Sequence, residues 1–478
     1  MDDRQYFLAP HRTDANAEMA RPREIRDGLN ASVKIISKVR LPKTAAGSQW
    51  DVHIQDGIVS DVREHRETGH FSAEAIDGHG ALLAPSLCHP HIHLDKAFLL
   101  SHPKYANLQM GKGDFQEAMS LTNQAKAQFE HADLLDRGQR LIDESVAAGV
   151  THMRAFVELD AGVGRKCLDA GITLRQQAEQ RRTCDIQICA FAQLPLFSAT
   201  QDDKDGEIIR HLMQQAATNE AVHVIGSTPY VEADRQSMEK NVEWMVDMSI
   251  RSNRHLDFHL DYNLDSNVEP LVWHVISTLK EKKWKDRTKD RTVVLGHCTR
   301  LALWEDEQWR KLASEISEAE LPISFVGLPT SDLFMMGTGR SPEIRGTLNV
   351  PKLIREYGLN ASISVNNVGN AFTPQGSCDP LALASQCVGV YQTGTQKDTE
   401  LLYECISTRA KSAIGRQRPN VSAMDLSIRN GSPADLVLFP CAPGKQAWRT
   451  CKSVDDAVFQ YHSNGRRVIS EGILQPSE

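Results

Sequence analysis

No stretch of this 478-residue chain stays apolar for the roughly 18 positions that a membrane helix needs, so no membrane span is expected. Basic charge is not in excess. Lys and Arg number 54 against 62 Asp and Glu, a formal net charge of −8, whereas a nucleic-acid binder usually carries a basic face. Neither G-x-G-x-x-G nor G-x-x-x-x-G-K-[ST] occurs, which removes the usual nucleotide cradles. The 10 cysteines include no C-x-x-C pair and read as core thiols in a reducing compartment, not as a disulfide frame. The start, MDDRQYFLAPHRTD, lacks the basic and then apolar course of a secretory leader. Repeats and low-complexity segments are absent too. Together these absences predict a cytoplasmic protein with a small-molecule substrate, no nucleic acid and no membrane. A homo-oligomer is compatible with all of them.

What is present is ordinary globular composition, with 41% hydrophobic and 24% charged residues. Residues 1–30 have no sustained apolar period and read as a mobile N-terminal arm. Val33–Ile36 and Asp51–Val59 read as strands, the second turning at Asp56-Gly57. From about residue 88 to residue 390, strand-like runs alternate with helical patterns. Thr151–Val157, Ile186–Phe191, His255–Leu260, Thr292–Gly296 and Ile323–Val326 are such runs. Leu134–Ala148 is one intervening helix, with Leu134, Leu135, Leu141, Ile142 and Val146 on one face. Six to eight such units over some 300 residues favour a parallel (β/α)8 barrel. Strands return at Ala434–Phe439 and Arg467–Ile469, with Asn464-Gly465 as a turn signal. The expected architecture is therefore α/β: a distorted (β/α)8 TIM barrel over residues 86–424, with a small β-sandwich built from residues 31–85 plus 425–478.

The strongest chemical feature is His89-Pro-His-Ile-His-Leu-Asp95. On a strand, His91 and His93 share a face, and two imidazoles at a barrel strand's C-terminal end can share a metal. His89 and His91 form an equally spaced pair. With 18 histidines in the chain, spacing alone does not choose between them.

The ordered context does. A β-rich segment followed by Ala84-Pro-Ser-Leu-Cys-His-Pro-His-Ile-His-Leu-Asp95 resembles the amidohydrolase superfamily, in particular its cytosine deaminase-like branch. Asp257-Phe-His-Leu-Asp261 resembles the fifth-strand histidine motif and Gly296-His-Cys-Thr299 the sixth. Ser364–Gly376 resembles the eighth-strand motif, Gly431–Leu438 the strand that resumes the β-sandwich, and Ala190–Gln193 the strand end whose glutamine reads the amide edge of a cyclic substrate. The resemblance spans about residues 33–475. It implies a metal-dependent hydrolase of non-peptide C–N bonds, acting on a cyclic amide, amidine or related small molecule. The implied ligands are His91, His93, His259 and position 366, around one divalent ion, Zn or Fe. His297 then orients the attacking water or polarises the substrate, and Gln193, Asn367 and Tyr262 contact the ring.

Two residues depart from that pattern. Asn366 stands where the branch carries an aspartate, and Tyr262 where it often has a glutamate. An asparagine lends a carbonyl oxygen to a metal but does not take up a proton. Asp261, Asp95 and Glu158 are candidate replacements in the proton relay, each with helix capping or ion pairing as its plainer role. Lys96 reads as pointing into a loop. Phe191, Phe372, Phe334 and Met335-Met336 are candidates for an apolar wall. Leu328–Gly337 reads as a loop over the site, and Arg345 as a partner for an anionic group. Three functions follow: a C–N hydrolase with a rearranged relay, a non-hydrolytic Lewis-acid enzyme, or a binding protein whose hydrolysis has lapsed.

Overall fold

The computed structural model describes residues 32–66, 75–338, 341, 343–416, 424–442, 444–461 and 465–476. The expected N-terminal arm and Asn464 lie outside them.

Eight parallel strands form the centre of the fold, each paired with its sequence neighbours. They are Leu87–His93, Val150–Glu158, Asp185–Ala192, Val222–Ser227, His255–Leu260, Val293–His297, Ile323–Gly327 and Ala361–Ile363. Almost every residue in them is buried, as expected of a parallel sheet covered on both faces. Helices run between successive strands on the outside. His131–Ala147 shows why: Leu134, Leu141, Ile142 and Val146 fall on its buried face, and Glu130 and Asp133 close its N-terminus in a capping box. The first and eighth strands meet in a single bridge, Ile92 to Asn366. The His93 amide donates to the Asn366 carbonyl at 2.9 Å and the Asn366 amide to the His91 carbonyl at 3.3 Å. The sheet thus closes into a barrel through residues of the candidate site.

Two four-stranded sheets lie beside the barrel. One joins Ile58–Glu64, Trp50–Gln55, Ile35–Val39 and Ala75–Asp77; the other joins Ile473–Leu474, Arg467–Ser470, Leu436–Leu438 and Leu83–Pro85. Ile36, Val52, Val59, Leu83, Leu436 and Ile469 share one core between them. The chain ends interlock: the Val33 amide donates to the Gly472 carbonyl at 2.9 Å and Val59 to Ser432 at 2.8 Å. The C-terminal part is not wholly β. Val454–Gln460 is a helix, capped by Ser453, that packs on the barrel helices Pro380–Val390 and Gln396–Cys405. Its buried Val454, Ala457 and Val458 give it an apolar side for that purpose. All 10 cysteines are free, and nine of them are buried. Among the described residues, no helix is long and apolar enough to cross a membrane.

Candidate metal centre and substrate pocket

His91 and His93 end the first barrel strand and His259 lies near the end of the fifth. Their side chains meet inside the barrel mouth. His259 Nε2 is 3.1 Å from His91 Nε2 and 3.0 Å from His93 Nε2. Ligating nitrogens of His91, His259 and His297 also lie within 4.8 Å of one another. Gly296 makes the room: a Cβ there would stand 2.9 Å from His91 Cε1.

The donor set fits a divalent cation. Imidazole lone pairs repel at such distances unless a proton or a cation lies between them. Burial holds the pKa of His91, His93 and His259 well below the ordinary value, so the rings are neutral and each has a nitrogen lone pair to offer a cation. Tetrahedral zinc with bonds of about 2.0–2.1 Å spaces its nitrogens about 3.3 Å apart, close to what is seen. Asn366 adds a fourth group. Its Nδ2 donates to Ser331 Oγ at 2.8 Å, while Oδ1 is buried and without a hydrogen-bond partner. Asn366 and His297 both sit at positive φ, 68° and 65°, a region that non-glycine residues enter mostly where function or surroundings hold them there.

His89, the other member of the ambiguous pair, faces away from the cluster. Its Nε2 lies 3.1 Å from the Cys378 carbonyl and 3.3 Å from Ser145 Oγ, and burial lowers its pKa to about 4. His297 is oriented by a residue that spacing does not reveal: Nδ1 lies 2.8 Å from Asp332 Oδ1. Asp332 is fully buried and also accepts from Thr347 Oγ1 at 2.7 Å. It belongs to a short helix, Pro329–Met335, where a loop was expected. This pairing puts the Nδ1 proton toward Asp332 and leaves the Nε2 lone pair directed at the cluster.

Gln193, Asn367 and Tyr262 all line the inner pocket, beside His93, His259 and His297. The Tyr262 ring lies 4.1 Å from that of His297. Burial raises its phenol pKa well above normal, so Tyr262 is a neutral wall. Lys96 corrects an expectation. It does not enter a loop: its side chain is 2% exposed, lines the pocket, and donates to Gln193 Oε1 at 3.2 Å.

The proposed replacement carboxylates are placed otherwise. Glu158 is ion-paired with both Lys96 and Lys126. Burial would raise its pKa, but the two lysines hold it down to about 2, a poor proton acceptor. Asp95 accepts the Glu158 amide at 2.7 Å. Asp261 accepts the amides of Leu271 and Val272 at 2.7 and 3.1 Å, which caps the helix Val272–Glu281. Neither Asp95 nor Asp261 lines the pocket. Arg345 is 61% exposed and faces Glu343, so it does not reach the site.

An outer cavity of about 510 Å³ continues from the inner pocket, sharing Phe115, Tyr230 and Tyr262 with it. Met335 and Met336 line it as well. Phe334, Met335, Met336 and Phe372 pack with Phe115 and Tyr262 in one apolar cluster. Phe191 instead stacks beneath the metal cluster, 4.3 Å from the His259 ring.

No family model matches the chain. An uncharacterized protein, YahJ of Escherichia coli (strain K12), is 23% identical over 343 residues, 71% of this chain and 66% of that protein. The chain therefore spans slightly less than two thirds of that relative. Among solved structures, 5-methylcytosine deaminase from Klebsiella pneumoniae liganded with 5-fluorocytosine is 20% identical with a TM-score of 0.77, over 93% of this chain and 97% of the other. N-isopropylammelide isopropylaminohydrolase from Burkholderia multivorans gives 20%, 0.70, 93% and 98% for the same quantities. Atrazine chlorohydrolase TrzN from Arthrobacter aurescens complexed with zinc gives 15%, 0.62, 92% and 95%. This chain has the fold of these structures.

Proposed function

We propose that the protein is a metal-dependent hydrolase of a C–N bond in a small cyclic amide, amidine or related nitrogen heterocycle. The observation that carries the reading is the convergence of His91, His93 and His259 Nε2 at 3.0–3.1 Å in the barrel mouth, beside a buried, unpartnered Asn366 Oδ1. His91, His93 and His259 would hold one ion, Zn or Fe, with Asn366 as a neutral fourth ligand. The ion, when bound, supplies a Lewis acid and brings the pKa of water toward about 7.

The remaining work belongs to the side chains. His297, fixed by Asp332, takes a proton at Nε2 and returns it to the leaving nitrogen. This is the relay that replaces an aspartate at position 366. Gln193, Asn367 and Lys96 orient the ring. Phe115, Tyr262 and Phe372 exclude water around it, and Met335 and Met336 accommodate substituents in the outer cavity.

The similarity to deaminating and dechlorinating enzymes supports the reaction class, and the amide-rich pocket supports a heterocyclic substrate. The test is metal content with and without the ligands. Wild-type protein purified without chelator is expected to carry close to one equivalent of transition metal, and the His91→Ala/His93→Ala variant less than about a tenth of that. Wild type at the level expected of the variant would sink the metallohydrolase reading.

A further inference from the structure

On the side formed by Lys96 and Asn367, the inner pocket offers hydrogen-bond donors to a ligand. An ammonium has three N–H groups. Lys96 commits one to Glu158 and one to Gln193 Oε1, which leaves one for a ligand. The same contact engages the Gln193 oxygen, and the Gln193 amide nitrogen is itself taken up by the Tyr230 hydroxyl and, at 3.5 Å, by Thr228 Oγ1. Asn367 shares only the first of these features. Its oxygen accepts from Asn370 Nδ2 at 2.8 Å, so its NH2 group is the part left for a ligand. The Asn366 oxygen, which has no hydrogen-bond partner, lines the pocket beside the histidine cluster.

Charge follows the same logic. Among the described residues, no Asp or Glu lines this pocket. The nearest carboxylates stand behind it and are engaged: Glu158 by Lys96 and Lys126, Asp332 by His297 and Thr347. The Lys96 ammonium also lies over the Phe372 ring, 5.1 Å from its centre, so a ligand that reaches this ring meets the cation.

We infer that this site selects a planar heterocycle bearing an oxyanion, either a deprotonated ring imide or a ring carboxylate, over neutral amine-bearing rings. An oxyanion accepts from Lys96 and from the amide group of Asn367 at once. A ring amine directed at the same two groups sets donor against donor, and a neutral ring carbonyl accepts from them without the gain that charge brings. Charge-assisted bonds of this kind separate the two classes by about 10- to 100-fold. This inference rests on the heterocycle-binding reading above and narrows it.

The test is equilibrium binding to the metal-loaded full chain near neutral pH, by calorimetry, with three probes. Barbiturate presents a ring oxyanion, orotate a ring carboxylate, and cytosine a neutral amine-bearing ring. At least one anion is expected to bind about 10-fold or more tightly than cytosine, and which one does distinguishes the two sources of charge. Lys96→Met should weaken that anion about 10- to 100-fold while moving cytosine by less than about threefold. Asn367→Asp places a carboxylate in the pocket without touching the Lys96–Glu158 pair, so it decides the matter if Lys96→Met does not fold. It should shift preference from the anion toward cytosine. Cytosine binding as tightly as both anions, an anion affinity unmoved by the variants, or no binding of any probe would each overturn the inference. Binding needs no turnover, so anion selectivity without hydrolysis would defeat the hydrolase reading alone. Hydrolysis of neutral rings without anion preference would defeat this one alone.

Discussion

Replacing Asn366 by Asp puts the proposed chemistry under the most direct strain. The two side chains are nearly isosteric, and the backbone at φ 68° is one that Asn and Asp both tolerate. The change exchanges the Nδ2 donor for an oxygen facing Ser331 Oγ at 2.8 Å. Ser331 in turn lies 2.6 Å from Thr373 Oγ1, and either hydroxyl can donate. Rotating both hydroxyls lets Ser331 donate to the new carboxylate, so that side of the exchange costs little. The other oxygen occupies the place where Oδ1 is now buried without a partner. Without metal, a carboxylate there is a buried charge with no cation, which costs several kcal/mol. With metal, it is an anionic ligand to a dication and should tighten retention about 10- to 100-fold. The variant should therefore melt below wild type after chelation and above it when loaded. As a second base beside the centre, it should raise hydrolysis by about 10²-fold or more. The assay sets both proteins side by side on cytosine-like, hydantoin-like and lactam substrates, with metal content measured on the same samples. A variant that gains metal yet hydrolyses none of them would refute the reasoning, and a non-hydrolytic or purely binding role would then lead.

Three further outcomes follow from named contacts. Asp332→Asn should lower kcat by about 10²-fold with little change in KM, because it removes the acceptor that fixes the His297 tautomer; steady-state kinetics at constant metal occupancy checks it. Gly296→Ala should weaken metal retention at least about 10-fold with the fold intact, since its Cβ would press on His91 Cε1 at 2.9 Å; competition against a chelator reads this out, and unchanged retention would show that the ring can yield. Asp133 is the pH-dependent case. Burial would raise its pKa, but Lys104, Tyr105, the Glu130 amide and Arg137 hold it at about 2. A folded pKa below the unfolded value of about 3.9 stabilises above that value and is lost as pH falls toward the folded one. Asp133→Asn should thus lower the melting temperature at neutral pH, and the gap to wild type should close between about pH 4 and pH 2; a gap that stays constant across that range would rule out the ionised carboxylate as its source.

The barrel and its β-sandwich were legible because each rests on local pattern, and the histidine cluster because its motifs follow one another in the order of a family it resembles. Strand–helix alternation and the spacing of His91 and His93 are visible in a few consecutive residues. What escaped depends on where chains end up in space. Lys96 follows its strand by three residues, and nothing local says that its stem turns inward to meet Gln193, 97 positions away. Asp332 reaches His297 across 35 positions from a segment whose sequence suggested a loop. Glu158 and Asp261 looked like spare acids because a sequence displays carboxyl groups without their partners. Two lysines neutralise the first and a helix terminus claims the second. Spacing left His89 and His93 equivalent as partners of His91, the ordered motifs favoured His93, and the structure packs His89 away against Ser145 and Cys378.

The seam where the barrel closes carries a consequence for how freely this chemistry can drift. The first and eighth strands are joined there by main-chain groups of His91, His93 and Asn366, while the side chains of His93 and Asn366 line the candidate pocket. Amide and carbonyl keep the joint whatever hangs from position 366, provided that residue accepts a left-handed backbone. Barrel closure therefore exerts almost no check on whether an acid or an amide stands at position 366, and the check on an acid comes instead from burying its charge when no cation is bound. A lineage can exchange one for the other, and back again, without passing through an unfolded ancestor.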